Sequence, residues 1–339
     1  MMKYIEENER VKRAYAIHRR AAKGRDESTI DKELAAIRRF EESTKFKSFK
    51  RFRIDQAIQF KKHLEKQSNK RTKQPLGATT IDAILRMVKA FFIWLVERPG
   101  YRRVISFSDA EYFNNTLKAA RAAHAQREIP YPSMDQCAHA FQAMSTATEF
   151  NRRDKALFAF FMLTGCRDGA AASLKLKHVN VETGHIYLDG REVKTKGAKT
   201  FTTYFFPVGN AYRETFCEWV HWLRSDKLFG PGDALFPKAK IEAVNGQGFR
   251  CVGFHRAGYA NSAKLNAIIK DTFASVQMPR YTAHSFRKTL TLLGDEKCDT
   301  REQFKAWSQN LGHDHVGTTV NSYLPVTSHR QAELIRGLA

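Results

Sequence analysis

Two prolines in the stretch Glu128-Ile-Pro-Tyr-Pro132 divide this chain into parts of different texture. Proline fixes its own φ, removes a backbone donor and biases the preceding residue away from helix, so no regular element runs through such a stretch. Residues 127–133 therefore read as a linker. With 339 residues, 42% of them apolar and 25 of them Phe, the chain is long enough to bury one core on each side.

Before the linker, residues 1–126 read as a wholly helical unit, with an extra helix within residues 1–25. Ile30, Leu34, Ile37 and Phe40 recur at helix spacing, and Ser28 or Thr29 is expected to cap that helix. Ile81, Ile84, Leu85, Val88, Phe91, Phe92 and Leu95 form the most apolar helix, which Pro99-Gly100 ends. A further helix is expected from about Asp109 to Gln126.

Charge is concentrated in the same part. The whole chain carries 57 Lys+Arg against 35 Asp+Glu, a formal charge of +22. Residues 1–128 hold 30 against 16, a surplus of 14, which leaves 27 against 19, a surplus of 8, for the rest. An imbalance of this size points to a polyanionic partner. Lys45, Lys47, Lys50, Arg51 and Arg53, together with Lys70, Arg71 and Lys73 in a polar loop, are the candidates to face a phosphate backbone. Each phosphate they neutralise releases counterions.

Membrane insertion is excluded by the longest apolar run, Ala90 to Val96, which falls far short of the roughly 20 residues a span requires. The first residues carry no apolar core of a signal peptide, so a cytoplasmic protein is expected. The 5 cysteines never fall in a Cys-x-x-Cys pair, and neither a disulfide framework nor a zinc site is suggested.

After the linker the pattern is mixed α and β. A buried helix is expected over Asp154 to Leu163, broken at Thr164-Gly165 just before Arg167. Ile186 to Leu188 and Thr202 to Pro207 read as strands of a small antiparallel sheet, joined by the lysine-rich loop Lys194-Thr-Lys-Gly-Ala-Lys199. Beyond Gly209 only helices are expected.

Within this second part the order of several motifs resembles the tyrosine recombinase, or phage integrase, family. Leu163-Thr-Gly-Cys-Arg167 resembles the turn that presents the family's first arginine. Lys196 resembles its hairpin lysine, His284 and Arg287 its His-x-x-Arg, His313 its Gly-His, and Tyr323 its nucleophile. The resemblance spans residues 134–339. It implies a mainly α chain with a small antiparallel sheet: a helical, SAM-like core-binding domain followed by an α+β catalytic domain. It also implies a site-specific recombinase or integrase of a bacterial mobile element, nucleoid-associated, acting on double-stranded DNA as a tetramer on two sites.

The chemistry explains why these residue types should converge. A phosphodiester attacked by a hydroxyl concentrates negative charge on its non-bridging oxygens, and that charge must be met by preorganised donors. Two guanidiniums, Arg167 and Arg287, each grip two oxygens in a fixed fork. His284 would assist the Tyr323 phenol, Lys196 would protonate the leaving 5′ oxygen, and His313 would donate a further hydrogen bond to the phosphate. The resemblance implies a 3′-phosphotyrosyl link, which conserves the phosphoester, so joining would need no ATP. No P-loop occurs, no clustered carboxylate set for Mg²⁺ is present, and neither metal nor cofactor is expected.

Two departures from the family pattern carry structural expectations. Ala170 stands where an acidic residue is common, three positions after the first arginine, with Asp168 nearer. His313 and Tyr323 are one residue further apart than usual, and an extra residue rotates a helix by about 100°, so an irregular turn is expected before Tyr323. Residues 326–339 read as an amphipathic helix, and the resemblance implies that it docks on a neighbouring subunit. Lys194 and Lys199 remain alternatives to Lys196. Type IB topoisomerase-like relaxation, or a silent DNA-binding accessory role, are the alternative functions.

Overall fold

The computed structural model describes residues 4–69, 72–124, 130–244, 248–323 and Arg336. The chain forms two compact units, Met1–Glu128 and Ile129–Ala339. It is mainly helical with small antiparallel sheets.

The first unit holds helices α1 (Glu6–Ala21), α2 (Glu27–Ser43), α3 (Ile54–Glu65), α4 (Ala78–Val96), α5 (Phe107–Glu111) and α6 (Leu117–His124). Its core is aromatic: Phe40 meets Phe60, Phe92 and Phe113 edge-on, with ring centroids 5.3, 5.2 and 5.4 Å apart. α4 runs through the middle because its apolar residues cover more than one face, and Leu85, Val88, Phe91, Phe92 and Leu95 are all buried. The cap of α2 is Asp26 rather than Ser28 or Thr29. Its carboxylate accepts the Thr29 amide at 2.7 Å, and Ser28 supports it from the side. The single helix expected from Asp109 to Gln126 is two, since Ser106 caps a short α5 and the chain restarts at Leu117.

The second unit begins with α7 (Met134–Gln142), α8 (Glu149–Thr164) and α9 (Asp168–Ala171). α8 is enclosed on every side from Ala156 to Thr164, and Phe160 packs on Phe216 of α10 (Asn210–Ser225) at 5.6 Å. Between α9 and α10 lies a three-stranded antiparallel sheet of β1 (Val179–Asn180), β2 (His185–Leu188) and β3 (Phe201–Tyr204). β3 therefore starts one residue before the expected strand and stops three short of Pro207. The β2–β3 loop folds back so tightly that a Cβ on Gly190 would lie 1.9 Å from the Ala198 carbonyl oxygen. Only glycine fits there.

The expectation of helices alone after Gly209 is wrong. β4 (Ala239–Val244) and β5 (Gly248–Phe254) form a separate antiparallel hairpin with a bulge between Lys240 and Ile241. β4 does alternate over Ala239-Lys240-Ile241-Glu242-Ala243, but Ile241 is exposed along with Lys240 and Glu242, so the alternation covers no buried face. α11 (Ala263–Ser275), α12 (Ala283–Lys297), α13 (Arg301–Asn310) and α14 (Val316–Tyr323) follow. Among the described residues no helix is long and apolar enough to cross a membrane.

Candidate active site

The site is built where α8 stops. Thr164 turns its hydroxyl back to the Phe160 carbonyl (2.7 Å) and accepts the Cys166 amide (3.2 Å), while Gly165 takes φ +56°. A Cβ at Gly165 would lie 2.6 Å from Leu311 Cδ2, so backbone conformation and space both require glycine. The turn presents Arg167, half-buried, at the entrance to α9.

Arg287, in the buried stripe of α12, is only 1% exposed. Its guanidinium donates to the carbonyl oxygens of Gly165 and Leu311, the latter at 2.8 Å, and Nη2 also reaches His313 Nε2 at 2.6 Å. Both carbonyls are backbone groups at helix ends, which have oxygens to spare. Three segments far apart in sequence thus converge on one cation.

His313 is buried as well. Because Nε2 faces a cation that can only donate, Nε2 is the acceptor and Nδ1 carries the proton, which goes to Thr319 Oγ1 at 2.7 Å; both ring nitrogens are thus engaged within the protein, which corrects the expectation that His313 donates to the phosphate. Burial first, then the charges of Arg287, Arg167 and Lys199, push its pKa down to about 4. His284 sits at the solvent-accessible edge of the site. Its partial burial, followed by Arg287 and Arg167, lowers its pKa, and Asp168 opposes them. Both imidazoles are neutral at neutral pH. Burial raises the Cys166 thiol to about 11, which leaves it inert beside the two arginines.

The loop lysines are placed differently from one another. Lys196 opens a short turn, Lys196–Ala198, and is exposed. Lys194 donates to the Ala260 carbonyl at 2.9 Å. Lys199 pairs with Asp314 at 2.6 Å, next to His313, and lowers the Asp314 pKa. Of the three, Lys199 is the one whose charge bears on His313.

α14 is continuous from Val316 through Tyr323, which overturns the expected irregular turn. The extra residue is accommodated before the helix, where Gly312 takes φ +74° and Asp314-His315 lead in. Thr319, fully buried, staples α14 to the site through His313 and through Ser308, at 2.5 Å. Tyr323 is the last residue of α14, four positions after Thr319. The Tyr323 side chain lies outside the described residues. So does the expected docking helix over 326–339, apart from Arg336.

In the first unit, Lys45, Lys47, Arg51, Arg53 and Lys73 are exposed. Lys45 and Phe46 both adopt left-handed backbone conformations. Asn8, fully buried, fixes this loop by donating to the Lys47 carbonyl (3.0 Å) and accepting the Phe49 amide (3.1 Å), with its other contact on Glu41. Lys50 is committed to Glu7 at 2.6 Å. Lys70 and Arg71 lie outside the described residues.

Sequence reasoning missed Asn8, Thr319 and Ser308, all neutral and polar. The spacing of Thr319, one helical turn before Tyr323, was the only available signal.

The chain is similar to known proteins in family and in fold. The model of the phage integrase family matches residues 133–330. Tyrosine recombinase XerC of Escherichia coli O127:H6 (strain E2348/69 / EPEC) is 27% identical over 164 residues, 48% of this chain and 47% of that protein, so the match spans about half of that relative. Among solved structures, a lambda integrase dimer bound to a COC′ core site is similar with a TM-score of 0.63 at 12% identity, covering 93% of each chain. The Tn1549 transposon integrase in complex with transposon right end DNA gives a TM-score of 0.60 at 17% identity, covering 97% of this chain and 99% of that one. These likenesses are of fold. Matched by the family model over more than half its length, the chain belongs to the phage integrase family.

Proposed function

We propose that the chain is a site-specific DNA recombinase that cleaves and rejoins duplex strands through a 3′-phosphotyrosyl link to Tyr323, without ATP or metal. The observation that carries this reading is the convergence of Arg167, Arg287, His284 and His313 at the end of α8, with α14 stapled to them through Thr319. Arg167 and Arg287 bind the non-bridging oxygens as charge accumulates on them. His284, neutral and at the open edge, accepts the phenolic proton of Tyr323. A lysine of the β2–β3 loop returns a proton to the departing 5′ oxygen. Lys196 does so from the exposed tip once DNA fills the cleft, and Lys199 is the alternative.

His313 acts on the phosphate through Arg287, holding the guanidinium with an acceptor nitrogen. The exposed cations Lys45, Lys47, Arg51, Arg53 and Lys73 contact the backbone of the duplex, with Lys70 and Arg71 in the same loop as Lys73. Two duplexes are brought together by a tetramer, through the segment 326–339.

A nicked duplex spanning the junction of the gene's own element with its flanking DNA tests this. Incubation should trap a covalent protein–DNA adduct that Tyr323→Phe abolishes while binding persists. Adduct formation undiminished in that variant would sink Tyr323 as the nucleophile. Relaxation of supercoiled plasmid by monomer, with no joining of two sites, would favour topoisomerase-like action instead.

A further inference from the structure

Ala170 leaves the arginine turn without an acid at its third position, yet the turn is not left unsupported. The neighbouring Asp168 is engaged on both carboxylate oxygens. Oδ1 accepts the Gly169 amide at 2.9 Å, and Oδ2 accepts the side-chain amide of Asn266, in α11. Asn266 in turn accepts the backbone N–H of Ala283 at 3.2 Å with its Oδ1. That N–H belongs to the first residue of α12, one before His284 and four before Arg287.

The first amides of a helix have no partner within it. Asn266 supplies one, and does so while its other end is tied to the residue beside Arg167. A single side chain therefore spans the two segments that present the arginines and His284. Its amide can bridge because it has a donor and an acceptor on opposite arms. Neither Asp nor Leu of similar size could make both contacts.

We propose that Asn266 is a positioning residue for strand cleavage, which through Asp168 and the Ala283 amide fixes His284 relative to the Arg167 turn. This inference rests on the recombinase reading above. It predicts an effect on rate rather than on DNA affinity, because the bridge touches neither the duplex-facing cations of the first unit nor the reacting groups themselves. A displacement of about 1 Å in such a constellation costs on the order of 100-fold in rate.

The test exploits the polarity of the bridge. In Asn266→Asp the new carboxylate still accepts the Ala283 amide but faces Asp168 with no donor. Adding Asp168→Asn to the same chain restores a donor with the direction reversed. Two readouts are followed on the full chain: adduct formation on the nicked junction duplex, and the titration of the His284 ring by NMR in DNA-free protein. The charged groups that face His284 are Arg287 on its own helix and Arg167 and Asp168 on the turn.

The single variant should lose about 100-fold in adduct rate with duplex affinity within about twofold of wild type, and its His284 titration should be displaced. The double variant should regain at least tenfold in rate, and its His284 titration should return toward wild type. A single variant that cleaves at the wild-type rate overturns the proposal, as does a double variant no better than the single. If the wild type itself forms no adduct, the recombinase reading fails. The positioning role is then decided by NMR alone, where an unmoved His284 titration in Asn266→Asp refutes it.

Discussion

Arg287 Nη2 and His313 Nε2 lie 2.6 Å apart, buried, with the imidazole accepting. The contact exists only while His313 is neutral, which sets a pH dependence. An unfolded histidine titrates near 6.5, and the folded value of about 4 lies below it. Between these values the unfolded chain binds the extra proton, so the contribution is complete above about pH 6.5 and lost as pH falls toward 4. It amounts to roughly 3 kcal/mol at about 1.36 kcal/mol per pKa unit. His284, also lowered, acts in the same direction. Urea unfolding at pH 7.5 and 4.5 should show this loss, and His313→Gln, which cannot titrate, should flatten it. A slope unchanged in that variant would assign the effect elsewhere.

The lysine of the β2–β3 loop is identified by changing the leaving group. A substrate with a 5′-bridging sulfur needs no proton donor on departure, since a thiolate leaves readily. Lys196→Ala should slow cleavage of the ordinary duplex by 10²–10⁴-fold, the usual worth of general acid catalysis, and the sulfur substrate should restore the rate. If Lys199→Ala is rescued and Lys196→Ala is not, the acid is Lys199.

Gly165→Ala meets two obstacles, the left-handed φ and a contact 2.6 Å from Leu311 Cδ2. The backbone alone costs roughly 1–2 kcal/mol. The denaturation midpoint should fall accordingly, and cleavage should suffer too, because the Gly165 carbonyl that Arg287 grips moves with it.

Lys50 is paired with Glu7, and on the proposed reading that pair must yield before Lys50 meets a phosphate. Glu7→Gln should therefore tighten duplex binding and steepen its salt dependence by up to about 0.9 per phosphate newly neutralised. Lys45→Ala and Lys47→Ala should each weaken binding and make that slope shallower. Fluorescence anisotropy across a salt series checks all three, and Glu7→Gln binding no more tightly than wild type would remove Lys50 from the interface.

Much of the candidate site was legible, because the proposed chemistry calls for residue types that are scarce in combination. Arg167, His284, Arg287 and His313 are brought together as their motif order implies. The supporting residues were not legible. Asn266 and Thr319 are ordinary polar residues whose contacts cross 98 and 6 positions of sequence, and no spacing rule reports the first. The β4–β5 hairpin offered Asn245-Gly246, a strong turn pair. The alternation Ala239-Lys240-Ile241-Glu242-Ala243 precedes it, but that stretch is short and its apolar Ile241 is exposed rather than packed on a core. The α14 expectation failed for another reason: rotation was counted from His313, whereas the helix is indexed by Thr319.

The burial of Arg287 makes the two arginines unequal in what their loss would do. Arg167 is half-buried, and a chain without it could keep its shape. Arg287 closes the carbonyl ends of two helices and orients His313, so its removal would leave a hole and several stranded acceptors in the middle of the fold. On the proposed recombinase reading, a descendant that gave up cutting DNA but kept gripping it would shed its tyrosine or Arg167 with little harm. It would retain Arg287 as masonry, so an intact His-x-x-Arg in a relative of this chain is weak testimony that the relative still cuts.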